Sequence, residues 1–498
     1  MVPLRKGAEV GTPCSVFVRF KGDEQYEVRE WAAAGKTDGW FNATLAEPFP
    51  DHIQPQVLVQ FERVWAARDG ERLRHPCIRA VPTHSVIQRD GTPRARLIFL
   101  AVRERRDVPH EYFDDAVWGF AASVSDKYID AFTDALYTAE PAKICEVVTI
   151  FVDSNFVDDV AQALTDGGAQ IRRWLKELVP EPRHAVASYF VWPSRSADAW
   201  HGGDANFAYG GHGVMDADVV LALMRLVEHA GIQTVHPHPT PLFELMFEKK
   251  WPAMYCLVAG LHVPPSVLVD TARILRDARS AAAAALAALE RTRRLAGDTE
   301  PERAPAKVVA KGPASADARQ VCVCDDADAL ATALRRLAGA TRASQILVQE
   351  FVPHLFELRV CLLNEKVQQF LYTTFGGGLT EDGRLRELRI MSREAAIREF
   401  LEGNEGLMDQ VENRAERTMV PLWLDVLRAS SAGHARPIPS LRIDFLVARY
   451  RTGNSASWRP KLTTNELTEA GFSFLRWKEG ASQVFKELAV LCYNAAAE

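Results

Sequence analysis

The sequence predicts an α/β (α+β) chain in which a β-rich N-terminal region precedes alternating strands and helices. Three observations carry the prediction. Short alternating apolar runs broken by turn residues fill the first 115 residues. From about residue 116, helical apolar rhythm alternates with short strands. After an Ala-rich helix and a Pro-containing polar loop near residue 300, strands resume and dominate the rest of the chain. With 498 residues, 47% of them apolar and 25% charged, the composition is that of a globular chain with more than one core, roughly two to four domains.

In the first region the strand candidates are Cys14–Phe20, Gln56–Trp65 and Ala95–Val102, with turn signals at Gly22-Asp23, Asp69-Gly70 and Asp90-Gly91. In the second, Ala187–Trp192 reads as a buried strand, Met215–Ala230 as a helix and Gln233–His236 as a strand. Ligands in such α/β units gather at the carboxyl ends of strands. The loop containing His201-Gly202-Gly203-Asp204 and Tyr209-Gly210-Gly211-His212-Gly213 follows one of those ends and is either an acceptor-site loop or a plain surface loop. Ser280–Leu295 is the Ala-rich helix, and 296–306 is the polar loop. Beyond it come strands at Lys307–Lys311 and Gln320–Cys324, a helix at Asp325–Leu337, and strands at Gln345–Phe351, Leu355–Leu363 and Lys366–Thr373. A helical block spans about 393–427, and the last strands are Leu441–Tyr450 and Lys461–Leu467.

Charge and composition exclude several classes. The 59 Lys and Arg residues stand against 65 Asp and Glu, a net charge of −6, so nothing supplies the basic excess that phosphate-backbone binding needs; no nucleic-acid partner is expected. The longest apolar runs, near Ala253–Val263 and Ala281–Leu289, fall short of the roughly 20 residues of a membrane helix; no membrane partner and a cytoplasmic location are expected. The eight cysteines lack paired CxxC spacing, and Cys322 and Cys324 read as small strand residues. His236-Pro237-His238-Pro239 reads as an extended turn.

Three segments carry candidate chemistry. Lys307, Val309 and Lys311 share one strand face that runs into a small-residue loop, a cationic shelf suited to a phosphate chain. Glu357, Arg359 and Cys361 share a face of a strand whose other face is Leu358, Val360 and Leu362. They form either an ion pair or the wall of a polar cleft. Arg442 and Asp444 sit in an otherwise apolar strand, where an unpaired charge costs several kcal/mol. Asp444, Asn465 and Glu466 are hard oxygen donors of the kind Mg2+ uses beside substrate phosphates, with a structural salt bridge as the alternative. The Gly376-Gly377-Gly378 turn is either a hairpin link or a place of close backbone approach.

Taken in order, these segments resemble the ATP-grasp superfamily of carboxylate–amine ligases. Leu242–Trp251 followed by Val263-Pro264-Pro265-Ser266 resembles that family's lysine-and-helix segment. Val308–Gly312 resembles its lysine strand and loop, Leu347–Val352 its adenine hinge, and Glu357–Val360 its Glu-x-Arg strand. Arg442–Phe445 with Asn465-Glu466 resembles its metal-binding end. The resemblance covers about residues 236–490.

The strand and helix patterns mark a β-rich domain over 1–115 and an α/β domain over 116–235; the resemblance makes the latter a pre-grasp domain and 236–498 an ATP-grasp domain. The last would divide into a phosphate-loop subdomain at about 265–345 and a metal-binding subdomain at about 346–498. Lys250 or its neighbour Lys249, with Lys311, would hold the α- and β-phosphates of ATP. Gln349, Glu350 and Val352 would meet adenine, and Glu357 the ribose. Arg359, with Arg442 as a second candidate, would approach the γ-phosphate or an acyl-phosphate. Asp444, Glu466 and Asn465 would hold Mg2+, and the 312–319 loop, which carries Ala314, Ala316 and Ala318 in place of glycine, would close over the phosphates. Where the family reads Glu-x-Asn, this chain has Thr463-Thr464-Asn465 with Glu466 next. A regular strand points Asn465 and Glu466 to opposite faces, so both can serve only where the strand bends. The implied activity joins a small-molecule carboxylate to an amine at the expense of ATP. A nucleotide-binding regulatory protein with a degenerate site and a phosphotransferase stand as alternatives, and homo-oligomer formation is left open.

Overall fold

The structure is a computed structural model describing residues 8–18, 36–48, 56–61, 78–82, 86–88, 96–104, 144–152, 164–178, 185–190, 217–236, 238–296, 307–313, 320–340, 343–379, 385–430, 438, 440–451, 458–468 and 480–497. It mixes helices and strands throughout and folds as two compact units. One comprises Met1–Ala197, Ala222–Pro237 and Glu479–Glu498; the other comprises Asp198–Leu221 and His238–Lys478. The turn signals of the first region, the His201–Gly213 loop and residues 314–319 lie outside the described residues.

The first unit is built on one nine-stranded sheet. Its strands are β1 (Pro13–Val18), β2 (Lys36–Leu45), β3 (Gln56–Phe61), β4 (Ile78–Pro82), β5 (Val86–Gln88), β6 (Arg96–Glu104), β7 (Ile144–Val152), β8 (Ala185–Phe190) and β9 (Gln233–His236). Strands β7, β6, β8 and β9 run parallel in that spatial order, and β1 to β5 pair antiparallel. The two sets join where Lys36–Gly39 of β2 pairs with Glu146–Thr149 of β7. Strand β6, from the first 115 residues, lies between β7 and β8 as a central parallel strand of this sheet. Alternation marks each strand and leaves its partner unspecified, and partners decide which sheet a strand joins. Helix Gly480–Ala497 also belongs to this unit. It packs on β8 and β9 and buries Leu488, Ala489, Cys492 and Tyr493.

In the second unit, a four-stranded antiparallel sheet runs in the order β10 (Ser266–Asp270), β13 (Gln345–Glu350), β11 (Val308–Lys311), β12 (Val321–Cys324). The Ala-rich helix Ala278–Leu295 lies on it because Ala281, Ala282 and Ala285 form a small apolar stripe that admits close packing with helix Ala327–Ala340. Asp277 caps that helix by accepting from the Ser280 N–H at 3.1 Å. Cys322 and Cys324 are part of the same core.

A five-stranded antiparallel sheet completes the unit, in the order β16 (Leu385–Met391), β15 (Lys366–Leu379), β14 (Phe356–Leu363), β17 (Ser440–Arg451), β18 (Trp458–Thr468). One of its faces buries Phe356, Leu358, Val360, Ile443, Phe445 and Val447 in a core shared with helices Thr240–Phe247, Trp251–Tyr255, Arg393–Phe400, Glu405–Arg414 and Val420–Ser430. Trp251 and Trp423 meet edge to face at 5.2 Å in that core. The helices occupy this face, and the opposite face carries the candidate chemistry.

Candidate functional site

The site begins with a strand that has no exposed side. Every residue of β14 is buried, so Glu357 and Arg359, at 1% and 8% exposure, need partners inside the protein. The register supplies them: Arg359 lies opposite Asp444 of β17, and Glu357 lies opposite Thr373 of β15. Arg359 donates to Glu357 Oε2 from Nε at 2.9 Å and from Nη2 at 2.8 Å, and Thr373 donates to the same oxygen at 2.9 Å. The other oxygen, Oε1, accepts from Asn465 Nδ2 at 2.8 Å. Arg442 grips Asp444 with two bonds, Nε to Oδ1 at 2.8 Å and Nη2 to Oδ2 at 2.9 Å.

Strand β18 adds a bulge. Asp444 pairs with Glu466, the next residue Phe445 pairs with Thr464, and Asn465 is the extra residue between. The bulge turns Asn465 and Glu466 to the same face, where a regular strand would separate them. Asn465 then bridges two sheets: its Oδ1 accepts from Lys311 Nζ at 3.2 Å while its amide reaches Glu357. Glu466 lies 3.5 Å from Arg442 Nη2 and 3.9 Å from Lys249 Nζ. The preceding residue is pinned from behind. Thr464 donates to Leu261 O at 2.7 Å, accepts from Trp423 Nε1 at 3.0 Å, and sends its N–H to His262 O at 3.0 Å.

Of the two adjacent lysines, Lys249 enters this cluster. Lys250 turns instead to Glu248 and to Glu244, the latter at 3.7 Å. The backbone explains the difference: helix Thr240–Phe247 ends and Lys249 adopts a left-handed φ of 51°, which rotates its side chain away from that of Lys250. Both oxygens of Glu357 are engaged and it is 1% exposed, so it braces Arg359, Thr373 and Asn465.

The cluster holds four cations, Lys249, Lys311, Arg359 and Arg442, and three carboxylates, Glu357, Asp444 and Glu466. Burial acts most strongly on Lys311 and, with Lys249 nearby, brings its amine down to about 8 against the pull of Glu466, Glu357 and Asp444. Complete burial, with Glu357 and Glu466 nearby, pushes Asp444 up to about 6, with Arg442 and Arg359 opposing. Burial also disfavours the charged forms of Glu357 and Glu466. Yet Arg359 and the Asn465 amide hold Glu357 below its ordinary value, and Lys249 and Arg442 do the same for Glu466.

Near the end of the inner strand β13, Gln349 is 3% exposed and donates to Ser266 Oγ at 2.9 Å. Glu350 ends β13, its N–H bonded to Pro265 O at 2.9 Å, and Val352 follows in the irregular link to β14, where its carbonyl lies 2.9 Å from His354 Nδ1. Gly312 follows Lys311, and a Cβ there would meet Gln320 Oε1 at 1.9 Å and Gln320 Cβ at 2.9 Å, so any larger residue would have to displace the Gln320 side chain. His236 lies outside the cluster, and burial lowers it to about 3, which keeps it neutral.

Mg2+ commonly takes one or two protein carboxylates and completes its shell with water and phosphate oxygens. The cross-strand pair Asp444 and Glu466, with the Asn465 carbonyl beside them, fits that donor set in chemistry and placement. Among the described residues no three His, Cys, Asp or Glu side chains converge into a closed metal cage. Sequence reasoning missed Thr373, Thr464 and Trp423. Thr373 could have been found from its place opposite Glu357, but only with the register known; the other two carry no motif signal.

No protein-family profile and no curated protein sequence matches the chain. Among solved structures, the chain is similar to ATP-grasp and D-alanine ligases. D-cycloserine synthetase DcsG is 16% identical, with a TM-score of 0.42 over 79% of this chain and 99% of that one. D-alanine–D-alanine ligase from Bacillus anthracis is 10% identical, with a TM-score of 0.44 over 81% and 98%. The ATP-grasp ligase PsnB, complexed with a minimal precursor, is 14% identical, with a TM-score of 0.35 over 80% and 98%.

Proposed function

We propose that this chain carries an ATP-grasp nucleotide site and acts as an ATP- and Mg2+-dependent, ADP-forming ligase that joins a small-molecule carboxylate to an amine or similar nucleophile. One observation carries the reading. The Asn465 bulge gathers lysines from two separate segments, two arginines and an Asp–Glu pair onto one sheet face. Excess cationic donors beside paired hard-oxygen donors suit a triphosphate with its metal better than either partner alone.

In this reading Lys311 and Lys249 receive phosphate oxygens, and residues Gln349 to Val352 receive adenine. Arg359 and Arg442 neutralise charge on the transferred group. Glu357 and Asn465 hold Arg359 and Lys311 in place. Bound Mg2+, held by Asp444, Glu466 and Asn465, would supply further neutralisation of phosphate oxygens. The substrate carboxylate attacks the γ-phosphorus, the bond from that phosphorus to the β–γ bridging oxygen breaks, and ADP leaves. An amine then attacks the acyl carbon, phosphate departs and the amine proton is lost. No side-chain nucleophile is needed, and the work of the protein is alignment and charge stabilisation.

The test is a thermal melt with and without Mg·ATP, followed by ADP release on a panel of carboxylates with amines. A ligand at 100 times its Kd stabilises by about 2.7 kcal/mol, a shift of a few degrees. Lys311→Ala should abolish that shift while melting as a folded protein. Phosphate ester in place of an amide product would identify a phosphotransferase. No shift with any nucleotide would refute the site.

A further inference from the structure

We propose that Arg442 occupies the metal's place in the nucleotide-free protein, so that the divalent cation enters only together with nucleotide. The proposal rests on reading the cluster as a metal–nucleotide site. Arg442 is 6% exposed, Asp444 is fully buried, and the planar guanidinium takes both carboxylate oxygens of Asp444 at 2.8 and 2.9 Å. The same Nη2 lies 3.5 Å from Glu466 Oε2. Asp444 and Glu466 are direct cross-strand partners. One cation thus already bridges the two carboxylates best suited to bridge another. Arg359 Nε, 3.7 Å from Asp444 Oδ2, adds to the positive field.

Charge balance makes the exchange conditional. With its carboxylates ionised, the cluster has four positive and three negative side chains. A divalent cation arriving alone would raise an already positive, largely buried group further and meet a guanidinium on its ligands. A metal–triphosphate complex is anionic. It also offers Arg442 phosphate oxygens that a guanidinium binds as well as it binds a carboxylate, so the fork can leave Asp444 without becoming unpaired.

The experiment measures free Mn2+ by electron paramagnetic resonance, without nucleotide, over full-length wild type, Arg442→Ala and Arg442→Lys. Arg442→Ala should bind Mn2+ about tenfold or more tightly than wild type, with Arg442→Lys between them. Asp444→Asn added to Arg442→Ala should remove the gain. If Arg442→Ala is poorly folded, Mn2+ alone should raise its melting midpoint, and Arg442→Lys, which keeps the charge without the two-pronged grip, carries the comparison. Wild type should acquire Mn2+ when a non-hydrolysable ATP analogue is added. Equal Mn2+ affinity of wild type and Arg442→Ala, with the analogue still binding, would overturn this proposal and leave the ligase reading intact. Failure of every form to bind either Mn2+ or the analogue would overturn both.

Discussion

Glu357 shows how a single side chain organises the site: four donor contacts from three neighbours converge on a carboxylate that water does not reach. Removing one partner of such a buried pair costs about 3–5 kcal/mol, because the others are left uncompensated. Glu357→Ala should lose about that much in urea unfolding, and a loss below about 1 kcal/mol would show that Arg359 finds another partner. The sign of the pH dependence follows from its lowered pKa. Its contribution is present above the ordinary carboxylate value of about 4.3 and is lost as pH falls through the folded value. Glu357→Gln should therefore flatten the acid limb of the stability profile. Lys311 makes the complementary prediction: its amine, brought down to about 8, should react with an acylating reagent along a titration centred there, against about 10.4 for ordinary lysines. Mg·ATP should protect it, as mass spectrometry of the labelled peptide would report. A midpoint near the ordinary value would mean that the amine is better solvated than its surroundings indicate.

At the scale of the element, the bulge in β18 separates what alternation can tell from what it cannot. Alternation correctly places Glu357 with Arg359, and Arg442 with Asp444, because each pair is two residues apart on an unbroken strand. It assigns Asn465 and Glu466 to opposite faces, and only pairing with β17 shows that they share one. With Asn465 removed, Leu462, Thr464 and Leu467 would still face the core and Glu466 would still oppose Asp444. Deletion of Asn465 should therefore leave a folded protein by circular dichroism while weakening ATP binding about tenfold or more, equivalent to some 1.4 kcal/mol. Asn465→Ala, which keeps the extra backbone residue, should weaken it less. An undiminished ATP-induced thermal shift in the deletion variant would count against the bulge as the organiser of the site.

At the scale of the whole molecule, chain order and spatial order diverge. Helix Gly480–Ala497 is the last element in sequence, yet it packs on β8 and β9, formed about 250–300 residues earlier, where burial of Cys492 raises that thiol against the opposing pull of Ser188. Ending the chain after Lys478 should speed amide exchange in β8 and β9 and leave β14 and β17 at wild-type protection, read peptide by peptide by mass spectrometry. Equal acceleration in both sheets would show that the two units unfold as one. Among the described residues no helix is long and apolar enough to cross a membrane.

The sequence by itself determined the local elements and which charged side chains lie within apolar strands. Strands at 308–311, 345–350, 356–363 and 440–451, and the Ala-rich helix at 278–295, follow from periodicity, since side-chain direction repeats with the backbone. The charged residues inside apolar strands announced themselves because burial demands partners. Tertiary structure alone decided three matters: that strands on either side of residue 115 share a sheet, that Lys249 and not Lys250 turns to the cluster, and that Asn465 joins Lys311 to Glu357. Each depends on register or on one residue's φ. Those are settled by contacts between segments far apart in the chain, and local pattern carries no record of them.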